Sequence, residues 1–213
     1  MKKGTVFIII GLVLLLAAAV FTGYNLWDGQ RAASANEELL DSFKEKLSTD
    51  YPEVFSDTGA PIEKDPSVDS SVGLITPDRE MPSVSLNGYL LIGTLDIPDI
   101  DFSSAIISQW SYPNLKVSAC RYSGSVYDNS MVICGHDYIT CFGKLRQITP
   151  GAEITFTDVE GYVYKYIVSY TETLTPRDIE GMTGISDDWD LTLFTCNLGG
   201  QTRFAVRCTL SEE

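Results

Sequence analysis

Leu191-Thr192-Leu193-Phe194-Thr195-Cys196-Asn197-Leu198-Gly199-Gly200-Gln201-Thr202-Arg203 reads as a strand, a tight turn and the start of a second strand. β-branched and aromatic residues over 191–195 favour a pleated strand. Gly199-Gly200 marks the turn between two apolar runs. Cys196 therefore ends one strand and Arg203 opens the next, so a hairpin would bring the two side chains face to face. A thiol at a strand tip beside a guanidinium is a candidate nucleophile, because a neighbouring positive charge favours thiolate.

Such a thiol needs a proton-transfer partner, and the chain contains a single histidine. His136 lies in Met131-Val132-Ile133-Cys134-Gly135-His136-Asp137, a second apolar strand that ends in Gly-His. Taken singly, a lone histidine is commonly structural and a cysteine in an apolar strand is commonly inert. Taken together, a thiol, an imidazole and a guanidinium all stand at strand ends, which points to a catalytic set.

These residues carry a resemblance. Gly135-His136 after an apolar strand, Thr192-Leu193-Phe194-Thr195-Cys196, and Arg203 opening the following strand with Arg207 four residues on resemble the signature of the sortases. Those are membrane-anchored cysteine transpeptidases of Gram-positive bacteria. Ile92-Gly93-Thr94-Leu95-Asp96-Ile97-Pro98 is similar to the first strand of the sortase barrel. The likeness covers about residues 89–210.

Composition agrees with an exterior domain. The formal net charge is −14, and Lys2 and Lys3 are the only charges before the apolar segment, so the remainder sits near −16. That argues against binding to nucleic acid or docking on an anionic membrane surface. Five cysteines, at 120, 134, 141, 196 and 208, leave at least one thiol unpaired within a single chain. A bridge between Cys120 and Cys134, or one using Cys141 or Cys208, stays open.

Residues 5–24 contain no charge and match the ~20 apolar residues that span a bilayer as a helix. Lys2 and Lys3 precede them, which by the positive-inside rule puts the N-terminus in the cytoplasm and everything after outside. Tyr24 and Trp27 would meet the outer interface. A cleaved signal peptide is the competing reading, but the apolar run is long for one and the nearest small-residue site, Ala33-Ser34-Ala35, is distant. Residues 28–47 carry Leu39, Leu40, Phe43 and Leu47 at helical spacing, a polar stalk with one apolar stripe. From Ser48 to Asn87, prolines at 52, 61, 66, 77 and 82 among Ser, Asp and Gly indicate a linker. The resemblance raises a lid over the site there, but Asp65-Pro66 is followed by Ser67 where the pilus-building class has an aromatic residue.

The expected organisation is 1–27 cytoplasmic tip and transmembrane anchor, 28–87 stalk and linker, and 88–213 catalytic domain. Short strands are expected at Tyr89–Ile97, Ser104–Ile107, Met131–Gly135, Glu153–Thr157, Tyr162–Tyr170 and Leu191–Cys196. A helical turn is expected over Phe142–Ile148 and a short helix near Pro176–Met182. Many short strands separated by turn signals indicate a mostly β fold closed into a barrel. The resemblance implies about eight strands.

The resemblance also implies roles. Cys196 would attack the carbonyl of a C-terminal sorting motif and form a thioester. Arg203 would stabilise the oxyanion. His136 would protonate the leaving amine and deprotonate the incoming one. Donors would be surface proteins bearing a sorting signal, and acceptors would be amines of cell-wall peptide or pilin lysine. No metal or organic cofactor is required. Arg207 shares a sheet face with Arg203 but lies further from the turn, and is read as a surface ion-pair partner. Asp137 and Thr195 point away from their neighbours His136 and Cys196 and are read as structural. Rival readings are a metal site from Cys134, His136 and Cys141 with Cys120, an inactive binding barrel, and a cysteine endopeptidase that releases to water.

Overall fold

The computed structural model describes residues 3–61 and 79–211. The Asp65-Pro66 lid segment lies outside the described residues. Among the described residues, nine strands follow a long N-terminal helix: β1 Val84–Leu86, β2 Tyr89–Ile97, β3 Phe102–Ile107, β4 Cys120–Ser123, β5 Met131–Gly135, β6 Glu153–Asp158, β7 Val163–Leu174, β8 Leu191–Cys196 and β9 Arg203–Leu210. They form one sheet in the order β1-β2-β3-β4-β5-β8-β9-β7-β6, and β6 pairs back onto β2. Eight strands thus close a barrel, with β1 added outside the ring. Closure removes the unpaired edges that an open sheet would expose. The pairs β3–β4 and β5–β8 are parallel and the others antiparallel.

Residues of β5, β8 and β9 that face opposite ways enter two different cores. Met131, Ile133, Leu191, Leu193 and Val206 fill the barrel with Ile92, Leu95 and Phe156. Val132, Cys134, Phe194, Ala205 and Cys120 lie in a second apolar layer. Strands buried on both faces read as unbroken apolar runs, which is why 131–135 and 191–195 show no polar alternation. β1 falls in a region the proline pattern marks as linker. The Asn87-Gly88 pair explains it, because that dipeptide is a strong two-residue hairpin signal.

The N-terminal helix, α1 (Lys3–Asp50), is unbroken. Its first part is long and apolar enough to cross a membrane, with a mean hydropathy of 2.8 over its most apolar window and none of that window buried. The remainder packs on the barrel. Leu39, Leu40, Phe43 and Leu47 are all buried in the same layer as Ala105 and Ile107 of β3. Asn36 pins the contact: its amide donates to Ser103 O (3.1 Å), and its carbonyl accepts from Ser104 Oγ (2.7 Å) and Ser118 Oγ (2.9 Å). Those two buried hydroxyls would otherwise lack part of their hydrogen bonding. Tyr51-Pro52 then stops the helix, as the residue before a proline is biased away from helical geometry. The expected stalk is therefore part of the globular body from residue 28 onward. Short helices α2 (Tyr112–Leu115) and α3 (Ile179–Thr183) complete the fold, with a 3-10 segment over Phe142–Gln147.

Candidate active site

The parallel pairing of β5 and β8 aligns Gly135 with Thr195. His136 and Cys196 are the next residues, so both leave the same end of adjacent strands. Thr195 Oγ1 donates to Gly135 O at 2.9 Å and locks that alignment. In the β8–β9 hairpin, Cys196 is the register partner of Arg203. The fold therefore brings the three residues to one rim of the barrel. Gly199 and Gly200, at φ of 82° and 72°, supply the left-handed backbone the turn between them needs. Cys196 is exposed while Thr195 is buried, as expected of neighbours on a pleat.

Gly135 is required by packing. A Cβ there would lie 2.5 Å from the Phe142 ring, so any side chain would displace the loop that follows His136. That loop is compact: Phe142 N donates to His136 O at 3.1 Å, and Cys141 N and Gly143 N both donate to Tyr138 O at 2.9 Å. His136 is half-buried and stacks flat on Tyr138, with ring centroids 3.9 Å apart and planes 3° apart. Its Nδ1 is buried with no hydrogen-bond partner. Burial lowers its proton affinity below that of an ordinary histidine, the carboxylates of Asp28 and Asp137 oppose that, and Lys116 adds to it.

Arg203 donates from Nη1 to Gly200 O and Thr202 O, both at 3.2 Å. A guanidinium carries five donors, and these two bonds hold its head against the backbone of the turn. Arg207 differs from expectation. It is 1% exposed rather than a surface residue. It donates to Thr192 Oγ1 at 2.6 Å, to Glu172 Oε1 at 2.7 Å and to Gly181 O, and lies 4.2 Å over the Trp189 ring. It clamps β7, β8, β9 and α3 together and is occupied in doing so.

Arg146 is a site residue that the sequence does not reveal. Its Nη1 pairs with Asp137 Oδ1 at 2.7 Å, and its Nη2 donates to Cys196 O at 2.9 Å and to Asn197 Oδ1 at 3.3 Å. It ties the loop after His136 to the end of the Cys196 strand. The only signal is a cation in a helical turn nine residues beyond Asp137. That pairing accounts for Asp137, which bonds Arg146 and not the imidazole.

All five cysteines are free thiols. Cys120 and Cys134 are cross-strand partners in β4 and β5. Burial pushes Cys120 up to about 12 and Cys141 up to about 11, and raises Cys134 and Cys208 further. Among the described residues, no three His, Cys, Asp or Glu side chains are grouped to hold a metal ion.

The sequence pattern of the Sortase domain matches residues 95–211. Among curated proteins, no relative matches the chain. Sortase C1 from Streptococcus agalactiae superposes with a TM-score of 0.54 at 21% identity, covering 61% of this chain and 72% of that one. Sortase C from Streptococcus pneumoniae gives 0.52 at 23% identity, covering 58% and 70%. Sortase C from Clostridium perfringens SM101 gives 0.51 at 23% identity, covering 58% and 71%. These likenesses concern the fold, and the pattern match extends over more than half of the sequence: the chain belongs to the sortase family.

Proposed function

We propose that the chain is a cysteine transpeptidase held in the cell membrane by the first part of α1, with its N-terminus in the cytoplasm and its barrel outside. The thiolate of Cys196 adds to the carbonyl carbon of a sorting motif, and the oxyanion that forms takes hydrogen bonds from Arg203. The C–N bond then breaks, and His136 gives its proton to the leaving amine. A cell-wall peptide or pilin amine attacks the thioester and passes its proton to His136. The C–S bond breaks as the new amide forms, and the Cys196 thiolate and the protonated His136 are restored. Donors are surface proteins with a C-terminal sorting signal. Metal and organic cofactors have no step in this scheme.

The observation that carries this reading is the double register, Gly135 with Thr195 and Cys196 with Arg203, which converges three suited groups from distant parts of the chain. The test is incubation of the full chain in detergent micelles with sorting-motif peptides, with and without an added amine. The expected result is a thioester adduct on Cys196 by mass spectrometry, resolved to an amide when amine is present and absent in Cys196→Ala. Cleavage that persists in Cys196→Ala would remove the nucleophile assignment. Release to water regardless of amine would instead make the protein an endopeptidase.

A further inference from the structure

Among the described residues, no carboxylate or carbonyl is hydrogen-bonded to Nδ1 of His136 to orient its ring. Its Nδ1 is buried and unpartnered, and Asp137, the nearest acid in sequence, is paired with Arg146 at 2.7 Å. What fixes the ring is the flat stack on Tyr138. Tyr138 is itself held from outside the barrel: its hydroxyl donates to the carboxylate of Asp28 in α1, 110 residues away. Thr140 Oγ1 donates to Gly29 O at 2.9 Å and fastens the same loop to the same helical turn. Burial, then the Asp28 carboxylate, push the Tyr138 phenol up to about 12, so the hydroxyl stays a donor throughout the working range.

We propose that Tyr138 is the positioning residue for His136, that Asp28 holds Tyr138 in place, and that the anchor helix is thereby a structural member of the active site. The chain Asp28–Tyr138–His136 does by stacking what a hydrogen-bonded carboxylate does for other catalytic imidazoles. The inference rests on His136 being the acid–base group. The charges that face the ring are Asp28 from α1, Asp137 from its own loop and Lys116 after α2. Removal of Asp28's charge therefore lowers the proton affinity of the ring. Removal of the Tyr138 ring admits water and raises it toward the ordinary histidine value.

Because His136 is the sole histidine, its titration can be followed directly. The experiment is a 1H–13C NMR pH titration of full-length, histidine-labelled protein in lipid nanodiscs, together with peptide turnover. In Asp28→Asn, the midpoint should move down. In Tyr138→Ala, it should move up, and kcat should fall about tenfold or more with KM for the sorting peptide little changed, as expected when a reacting group is misplaced and substrate binding is left intact. Tyr138→Phe keeps the ring but loses the hydrogen bond to Asp28, so its kcat should fall between that of the wild type and that of Tyr138→Ala. It and Asp28→Asn keep the test decisive if Tyr138→Ala folds poorly. Midpoint and kcat both unmoved in Asp28→Asn and in a folded Tyr138→Ala would overturn the inference, as would a moved midpoint with unchanged kcat. Full activity in His136→Gln would instead refute the acid–base assignment on which it rests.

Discussion

Phe43→Ala tests whether α1 is part of the body or a stalk beside it. Phe43 is fully buried and sits between Leu39, Leu40 and Leu47, which are buried almost as completely. Each such side chain contributes about 1.5–3 kcal/mol when removed from water, and truncating a buried Phe costs about 3–5 kcal/mol. The barrel keeps its own interior core, so the loss falls on the packing of α1 and not on the whole fold. At about 1.4 kcal/mol per tenfold, detachment of residues 28–50 should become roughly 100- to 4000-fold more populated. A detached segment loses the tertiary packing that supplies most of its helical stability, so its amides should exchange. Hydrogen-exchange mass spectrometry of the full chain in nanodiscs reads this directly. Protection should fall over 28–50 and over the loop 137–141, with β5 and β8 unaffected. Unchanged exchange over 28–50 would refute the clamp, and with it the route by which Asp28 reaches Tyr138.

Arg146→Met removes the tie between Asp137 and the Cys196 carbonyl while keeping the stem, and turnover should fall about tenfold to hundredfold with little change in melting temperature. Asp158 is buried, its Oδ2 has no hydrogen-bond partner, and burial first of all pushes its carboxyl up to about 7. The folded protein then holds a proton that the unfolded chain releases near pH 4, so stability is full below that value and declines as pH rises to about 7. Asp158→Asn should flatten this dependence in thermal melts and stabilise the protein at pH 8 by about 1–3 kcal/mol. Iodoacetamide on the native protein should modify Cys196 first, because Cys120, Cys134 and Cys208 are buried and the half-buried Cys141 is kept protonated. Modification of all five before denaturation would contradict the burial described above.

Much of the site is readable in the sequence because it is local or nearly so. Cys196, Asn197, Gly199, Gly200 and Arg203 form one hairpin, and hairpin chemistry is written in adjacent residues. The barrel is readable for a similar reason, since strand–turn alternation survives even where both faces are buried. What escapes is tertiary. Asp28 and Tyr138 meet across most of the chain, and nothing in either neighbourhood marks the other. Arg207 reads as a surface cation because its partners Glu172, Thr192 and Gly181 come from three separate elements. The stripe on α1 is visible, but an apolar stripe specifies that a helix packs and not what it packs on. β1 escapes for a different reason: five prolines spread over 48–87 mask the hairpin signal of Asn87-Gly88 at the end of that stretch.

The continuity of α1 sets a height. From Tyr24 at the end of the apolar run to Asp28 at the catalytic loop is four residues, about 6 Å of helix rise. Were that run in the bilayer, as proposed, the packing of α1 on the barrel would hold the rim bearing Cys196 close to the lipid headgroups. On the proposed transpeptidase reading, a donor polypeptide would be cut close to where it emerges from the membrane, and an acceptor would come down to meet it there.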